Sequence, residues 1–161
     1  PWGEGFSMAT DPTVEPTESV AATPAHLWVV GILSLLWNAF GGYDYTMSQL
    51  RDPAYLDSVG FGAAEIAWMD SFPVWVEAAW AIGVWFSLLG AILLLLRSRH
   101  AATAFLISLA GSVVSFAYQL SADKPETLQS GLPVIMPLVI VVLIIAQWYY
   151  ARRQTAGGVL R

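Results

Sequence analysis

Residues 132–150 read LPVIMPLVIVVLIIAQWYY. These 19 residues carry no charge, and their polar positions form no stripe. A helix on the surface of a soluble bundle would show a polar face. The hydrocarbon core of a bilayer is about 30 Å thick and needs about 20 helical residues to cross it. Val134, Ile135, Val139, Ile140, Val141, Val142, Ile144 and Ile145 are β-branched and would suggest a strand in water. The length of the run and its lack of alternation override that preference. In lipid, every backbone N–H must find its partner within its own segment, so the run is expected to be a transmembrane helix.

Three further tracts have the same character: 27–47, 74–96 and 101–120. Tract 101–120 has no charged residue, 27–47 holds only Asp44, and 74–96 holds only Glu77, one turn from its start. The predicted fold is all-α, an integral membrane four-helix bundle. The composition agrees: 57% of the 161 residues are hydrophobic, 12% are charged, and eight are Trp. An average soluble domain is about 25% charged. This balance excludes a disordered protein, a nucleic-acid binder and a typical soluble enzyme. With no Cys there is no disulfide framework, thiolate metal site or redox-active dithiol.

Orientation is read from the positive residues. Four spans put the N-terminus, the 97–100 turn and the C-terminus on one side. That side holds Arg97, Arg99, Arg152, Arg153 and Arg161, five of the seven Lys and Arg, and the positive-inside rule makes it cytoplasmic. Both termini are therefore expected inside, in a bacterial inner membrane. Trp28 and Trp148–Tyr149–Tyr150 fit the inner aromatic belt; Tyr43, Tyr45, Phe72 and Trp75 fit the outer one. Residues 1–26 carry four acids, four Pro and no Lys or Arg, which reads as a disordered acidic leader, with Met8 the expected natural start. Thr23 before Pro24 is the expected cap of the first helix. Residues 151–161 read as a basic cytoplasmic tail. In the outer connection, 48–73, RDPAYLD (51–57) reads as a turn. Phe61, Ala64, Trp68 and Phe72 then follow at helical spacing, predicting a short helix whose aromatic face lies in the membrane interface. That helix is either a simple connector or a lid.

Small residues mark the packing faces. Ala79, Gly83, Ser87 and Ala91 recur every four residues in the second span; Ala104, Ser108 and Ser112 form a stripe in the third. Such seams let helices approach closely where apolar burial supplies no drive. The four-residue turn at 97–100 makes these spans antiparallel neighbours, so the two seams are expected to meet. Asn38 falls near mid-bilayer and needs a partner there. Asp44 faces either a neighbouring helix or the headgroups. Asn38, Tyr45, Glu77, Ser115, Tyr118 and Gln119 fall in the outer half of the membrane, where they would line a small outward vestibule or form a helix–helix hydrogen-bond network. Glu77 and Asp44 are the candidate ligand or proton groups.

The two His, His26 and His100, both lie at the cytoplasmic ends. No metal-ligand spacing, phosphate loop or catalytic triad pattern is present in the sequence, so neither a metal site, a cofactor nor an enzymatic activity is expected. The expected surroundings are the lipid bilayer, with other membrane subunits or a second copy of the chain as partners.

WNAFGGYDYTMSQ (37–49), the pair Tyr55–Leu56 and FPVWVEAAWAIGVWFSLLGAILLLLRSRHA (72–101) together resemble small four-span inner-membrane proteins of Proteobacteria. The resemblance covers roughly 27–120. That family is largely uncharacterised, and some of its members carry an automatic sugar-transporter label. The resemblance implies the four-span topology and supplies no catalytic residues. Two functions remain in view: an accessory, scaffold or modulator subunit without catalytic chemistry, and an oligomeric carrier for a small, sugar-like solute.

Overall fold

Each apolar tract becomes one long helix: α1 (Ala25–Gln49), α4 (Val74–Leu95), α5 (Ala101–Ser121) and α6 (Leu132–Ala156), with α2 (Pro53–Ser58) and α3 (Ala63–Asp70) between the first two. The computed structural model describes residues 22–161; the expected acidic leader lies outside the described residues as far as 21. All four long helices are long and apolar enough to cross a membrane. The observed ends lie within two residues of the expected ones, except that α6 continues six residues beyond Tyr150. α1 and α4 both begin just after a proline in extended conformation, Pro24 and Pro73. Thr23 therefore does not cap α1: Pro24 occupies the N-cap position with no side-chain bond.

α4 and α5 make the tightest contact, with glycines and hydroxyls on both sides. Ser108 Oγ donates to the Gly83 carbonyl at 2.6 Å. A Cβ on Gly83 would stand 3.1 Å from the Ser112 backbone nitrogen, and one on Gly111 would stand 2.7 Å from the Ala79 carbonyl oxygen. Ala79, Gly83, Ser87, Ala91, Ala104, Ser108 and Ser112 are all buried. Phe105 is fully buried against Gly90, where a Cβ would come within 2.8 Å of its ring. Side-chain size thus sets helix separation here, and dispersion between close backbones replaces the hydrophobic drive that lipid removes.

α1 packs on α4, and α6 packs on α5. The ring closes between α6 and α1 through long side chains. Asn38 Nδ2 donates to Gln147 Oε1 at 3.1 Å with both residues buried, and His26 Nδ1 lies 2.6 Å from the Tyr150 hydroxyl. α6 is the least enclosed of the four helices.

One end of the bundle is capped by the 48–73 connection. Its RDPAYLD segment forms helix α2 where a turn is expected. Asp52 accepts from the Tyr55 backbone N–H at 2.8 Å and Pro53 stands in the first turn, so the segment holds a capped helix start. The buried stripe of α3 is also displaced from the expected aromatic face. Glu65 and Met69 are buried, and Phe72 just beyond joins them, while Ala64 is exposed. Glu65 accounts for this: one oxygen accepts from the Gly62 N–H at 2.9 Å, and the other accepts from the Thr127 hydroxyl in the α5–α6 connection. Phe72 is accordingly buried in the cap core.

At the other end the chain after α6 is not a free basic tail. Gly158, at φ 71, reverses the chain, and Val159 N–H and Gly158 N–H return to the carbonyls of Gln154 and Thr155 at 3.0 and 3.1 Å. This is a Schellman ending, and glycine meets the left-handed backbone without a Cβ penalty. Val159 and Leu160 then enter the core made by Leu27, Ala91, Leu94, Ala101, Phe105 and Ala151. Arg161 and the 97–100 turn exchange backbone bonds: Arg99 N–H to Arg161 O and Arg161 N–H to Arg97 O, both 2.8 Å.

Candidate functional site

Charge divides the described residues by end. Arg97, Arg99, Arg152, Arg153 and Arg161 stand at the plugged end with no acid. The capped end holds eight acidic residues against Arg51 and Lys124. Only one ion pair occurs among the described residues, Arg51 to Asp70 at 2.7 Å, with Arg51 Nε also 2.9 Å from the same oxygen. Asp70 is 59% exposed, so this pair contributes little to stability; exposed pairs are worth about 0–1 kcal/mol. Its effect is positional, holding the end of α3 to the end of α1.

Between cap and bundle lies a cavity of about 170 Å³. Asp44 and Ser48 of α1, Gln119 of α5 and Trp80 of α4 make its bundle side. Val59 and Phe61 before α3, Trp68 and Met69 within it and Phe72 after it make its cap side. Four of the nine lining residues are aromatic: Phe61, Trp68, Phe72 and Trp80. Trp68 and Phe72 meet edge to face at 4.7 Å, and Phe72 meets Tyr118 in the same manner at 5.7 Å. Each pair of this kind is worth about 0.5–1.5 kcal/mol beyond its buried area.

Asp44 meets the short helix α2 of the connection. It accepts a hydrogen bond on Oδ1 from the Tyr55 hydroxyl of α2. Burial first, and the Asp44 carboxylate second, push the Tyr55 phenol well above its ordinary value, so it remains a neutral donor. No cation pairs with Asp44 among the described residues. The Trp68 indole N–H is the one buried side-chain polar atom without a partner among the described residues. Glu65 is not among the cavity's lining residues; its carboxyl is held below the usual carboxylate range by the Thr127 hydroxyl and then by the backbone N–H groups of Glu65 and Gly62.

Of the seven residues singled out in the sequence, Asp44 and Gln119 line this cavity and the other five do not. Asn38 is deeper, bonded to Gln147. Tyr45 turns toward α4, edge-on to Trp80 at 5.0 Å and Trp85 at 6.0 Å. Glu77 sits in the first turn of α4, where the helix dipole favours a carboxylate. Ser115 is buried and accepts from Gln119 Nε2 at 2.9 Å. Tyr118 packs against Phe72 and Trp75. Sequence reading passed over Tyr55, Trp68, Trp80 and Gln147. For Gln147 a signal exists, since it is the one amide in an otherwise apolar tract and requires a partner as Asn38 does. No spacing links Tyr55 to Asp44, because their meeting depends on how α2 folds back.

The lining offers the Asp44 carboxylate, the Gln119 amide and the Ser48 hydroxyl beside aromatic side chains. Among the described residues, no group of three or more His, Asp or Glu could hold a metal ion. Comparison with protein-family models, with curated proteins and with solved structures finds no match to the chain.

Proposed function

We propose that the chain is a multi-pass protein of the bacterial inner membrane that serves as a non-enzymatic accessory or scaffold subunit. Its plugged, arginine-rich end lies in the cytoplasm and its capped, acidic end lies outside, with α3 at the outer interface. The positive-inside rule supports that orientation. The observation that carries the accessory reading is the filled interior. Gly83 and Gly111 bring α4 and α5 to backbone contact, and Asn38–Gln147 bridges the remaining width at mid-bundle. A bundle joined in this way is a rigid unit for assembly, and a single copy leaves no route through its centre. Purification in mild detergent tests the reading. One or more defined membrane subunits are expected to co-purify at fixed stoichiometry through successive columns. A chain that stays monodisperse and alone, from cells grown under several conditions, refutes it. Reporter fusions at the 97–100 turn and within 48–73 check the orientation and should report opposite sides.

The cavity under the cap favours a second reading, an oligomeric carrier for a small solute, sugar-like as the family resemblance implies. Glu77 or Asp44 would couple it to protons. Vesicle uptake that vanishes in Glu77→Gln supports Glu77 in that role; uptake that persists removes it.

A further inference from the structure

Asp44 is a half-buried carboxyl group near the end of α1, beside aromatic side chains, and its only side-chain hydrogen-bond partner among the described residues is the Tyr55 hydroxyl. Oδ1 takes that bond, which leaves Oδ2 available. A half-buried carboxylate without a counter-charge attracts a cation more strongly than one in bulk water. The walls define the kind of cation. Calcium would require six to eight oxygen ligands and magnesium a near-octahedral set. Here only Asp44, Ser48 and Gln119 bring side-chain oxygen. Phe61, Trp68, Phe72 and Trp80 bring ring surface instead, the partner of alkylated ammonium ions. A volume of about 170 Å³ lies below the range of about 300–1,000 Å³ usual for drug-sized ligands and above the space of one water. Trp68 meets the cavity with its ring carbons, since its indole N–H is itself shut off from solvent.

We propose that the cavity between cap and bundle binds a small quaternary ammonium group of the choline type, with Asp44 as counter-ion and the aromatic side chains of Phe61, Trp68, Phe72 and Trp80 as cage. The group arrives either as a free solute or as the headgroup of an outer-leaflet lipid. The assignment stands apart from the accessory role: loss of co-purifying subunits leaves it untouched, and absence of binding leaves that role untouched.

Isothermal titration of the full chain in phosphatidylglycerol nanodiscs with choline chloride provides the test. Saturable binding is expected. Its neutral isostere 3,3-dimethyl-1-butanol, and glucose, should give no heat above background. Asp44→Asn keeps an acceptor for Tyr55 and should weaken choline binding about tenfold or more, as loss of a partly desolvated charge contact demands. Asp57→Asn makes the same charge change on the exposed face of α2 and should leave binding unaltered. Trp80→Leu should weaken binding, with Trp80→Phe restoring part of it. In phosphatidylcholine nanodiscs, a retained response to added choline identifies a free solute, and a lost response identifies the lipid headgroup. The proposal fails if choline does not bind in phosphatidylglycerol, if the neutral isostere binds as well as choline, or if Asp57→Asn weakens binding as much as Asp44→Asn. The isostere comparison uses the unaltered protein and decides the matter even if a variant does not fold.

Discussion

Gly111 and Gly41 are both glycines within long helices, yet they stand in opposite surroundings. A Cβ at Gly111 would meet the Ala79 carbonyl oxygen at 2.7 Å and the Gly83 nitrogen at 2.8 Å, whereas Gly41 has nothing within 4 Å. Backbone cannot step aside as a flexible side chain can. Gly111→Ala should therefore cost about 1–3 kcal/mol through overpacking, while Gly41→Ala should be neutral or mildly stabilising through helix propensity. Thermal unfolding in one detergent compares the two, and equal melting points would mean that α4 and α5 are not in backbone contact. Legibility at this scale was uneven. The i, i+4 recurrence of Ala79, Gly83, Ser87 and Ala91 is visible in sequence because a helix face is a local property. Gly111 and Gly90 lie outside that register, and their role depends on which neighbour stands opposite. Asp44 shows the same limit: its depth could be counted along α1, but its partner Tyr55 comes from another element.

At the scale of elements, the cap and the plug differ most from expectation. Glu65 joins α3 to the α5–α6 connection through Thr127, and its carboxyl is held below the usual carboxylate range in the folded protein. A depressed folded-state pKa contributes stability above the unfolded value of about 4.3, and that contribution is lost as pH falls through the lower folded value. Cap closure, followed by proteolysis within 48–73, should thus weaken below about pH 4, and Glu65→Gln should remove the part of that acid dependence due to this group. An unchanged acid profile in the variant would dissociate Glu65 from the cap. At the opposite end, Leu160 is 3% exposed in the main core. Leu160→Ala should lower stability by about 2–5 kcal/mol, as for other core leucines. A loss of only a few tenths would show the plug to be loosely held. The apolar runs made the long helices readable, since length and the absence of a polar stripe need no tertiary knowledge. The plug was not readable, because GGVLR is too short for any periodicity and sits beside arginines that suggest solvent.

For the whole molecule, the buried part of the closure between first and last helices is the amide pair of Asn38 and Gln147, at 3.1 Å. Hydrogen bonds between membrane helices average about 0.6 kcal/mol and reach about 1.7. Removing one amide leaves the other unpaired, so Asn38→Leu and Gln147→Leu should each destabilise, and the double variant should be less damaging than the two losses added. Additive losses would indicate that the two side chains are not coupled in the membrane. The ends of the molecule are opposite in charge, and the core of the plugged end is apolar while the capped end holds the cavity.

Four apolar helices, their approximate limits, the small-residue seam of α4 and the segregation of positive charge follow from order along the chain alone. Hydrophobicity and helical period are sums over near neighbours, so they can be read without knowing the fold. The Asp44–Tyr55 and Glu65–Thr127 bonds, the aromatic cavity, the Asn38–Gln147 bridge and the Val159–Leu160 plug belong to the tertiary structure. Each joins residues from different elements, and which of them meet is decided by helix rotation and chain reversal, which no local pattern encodes.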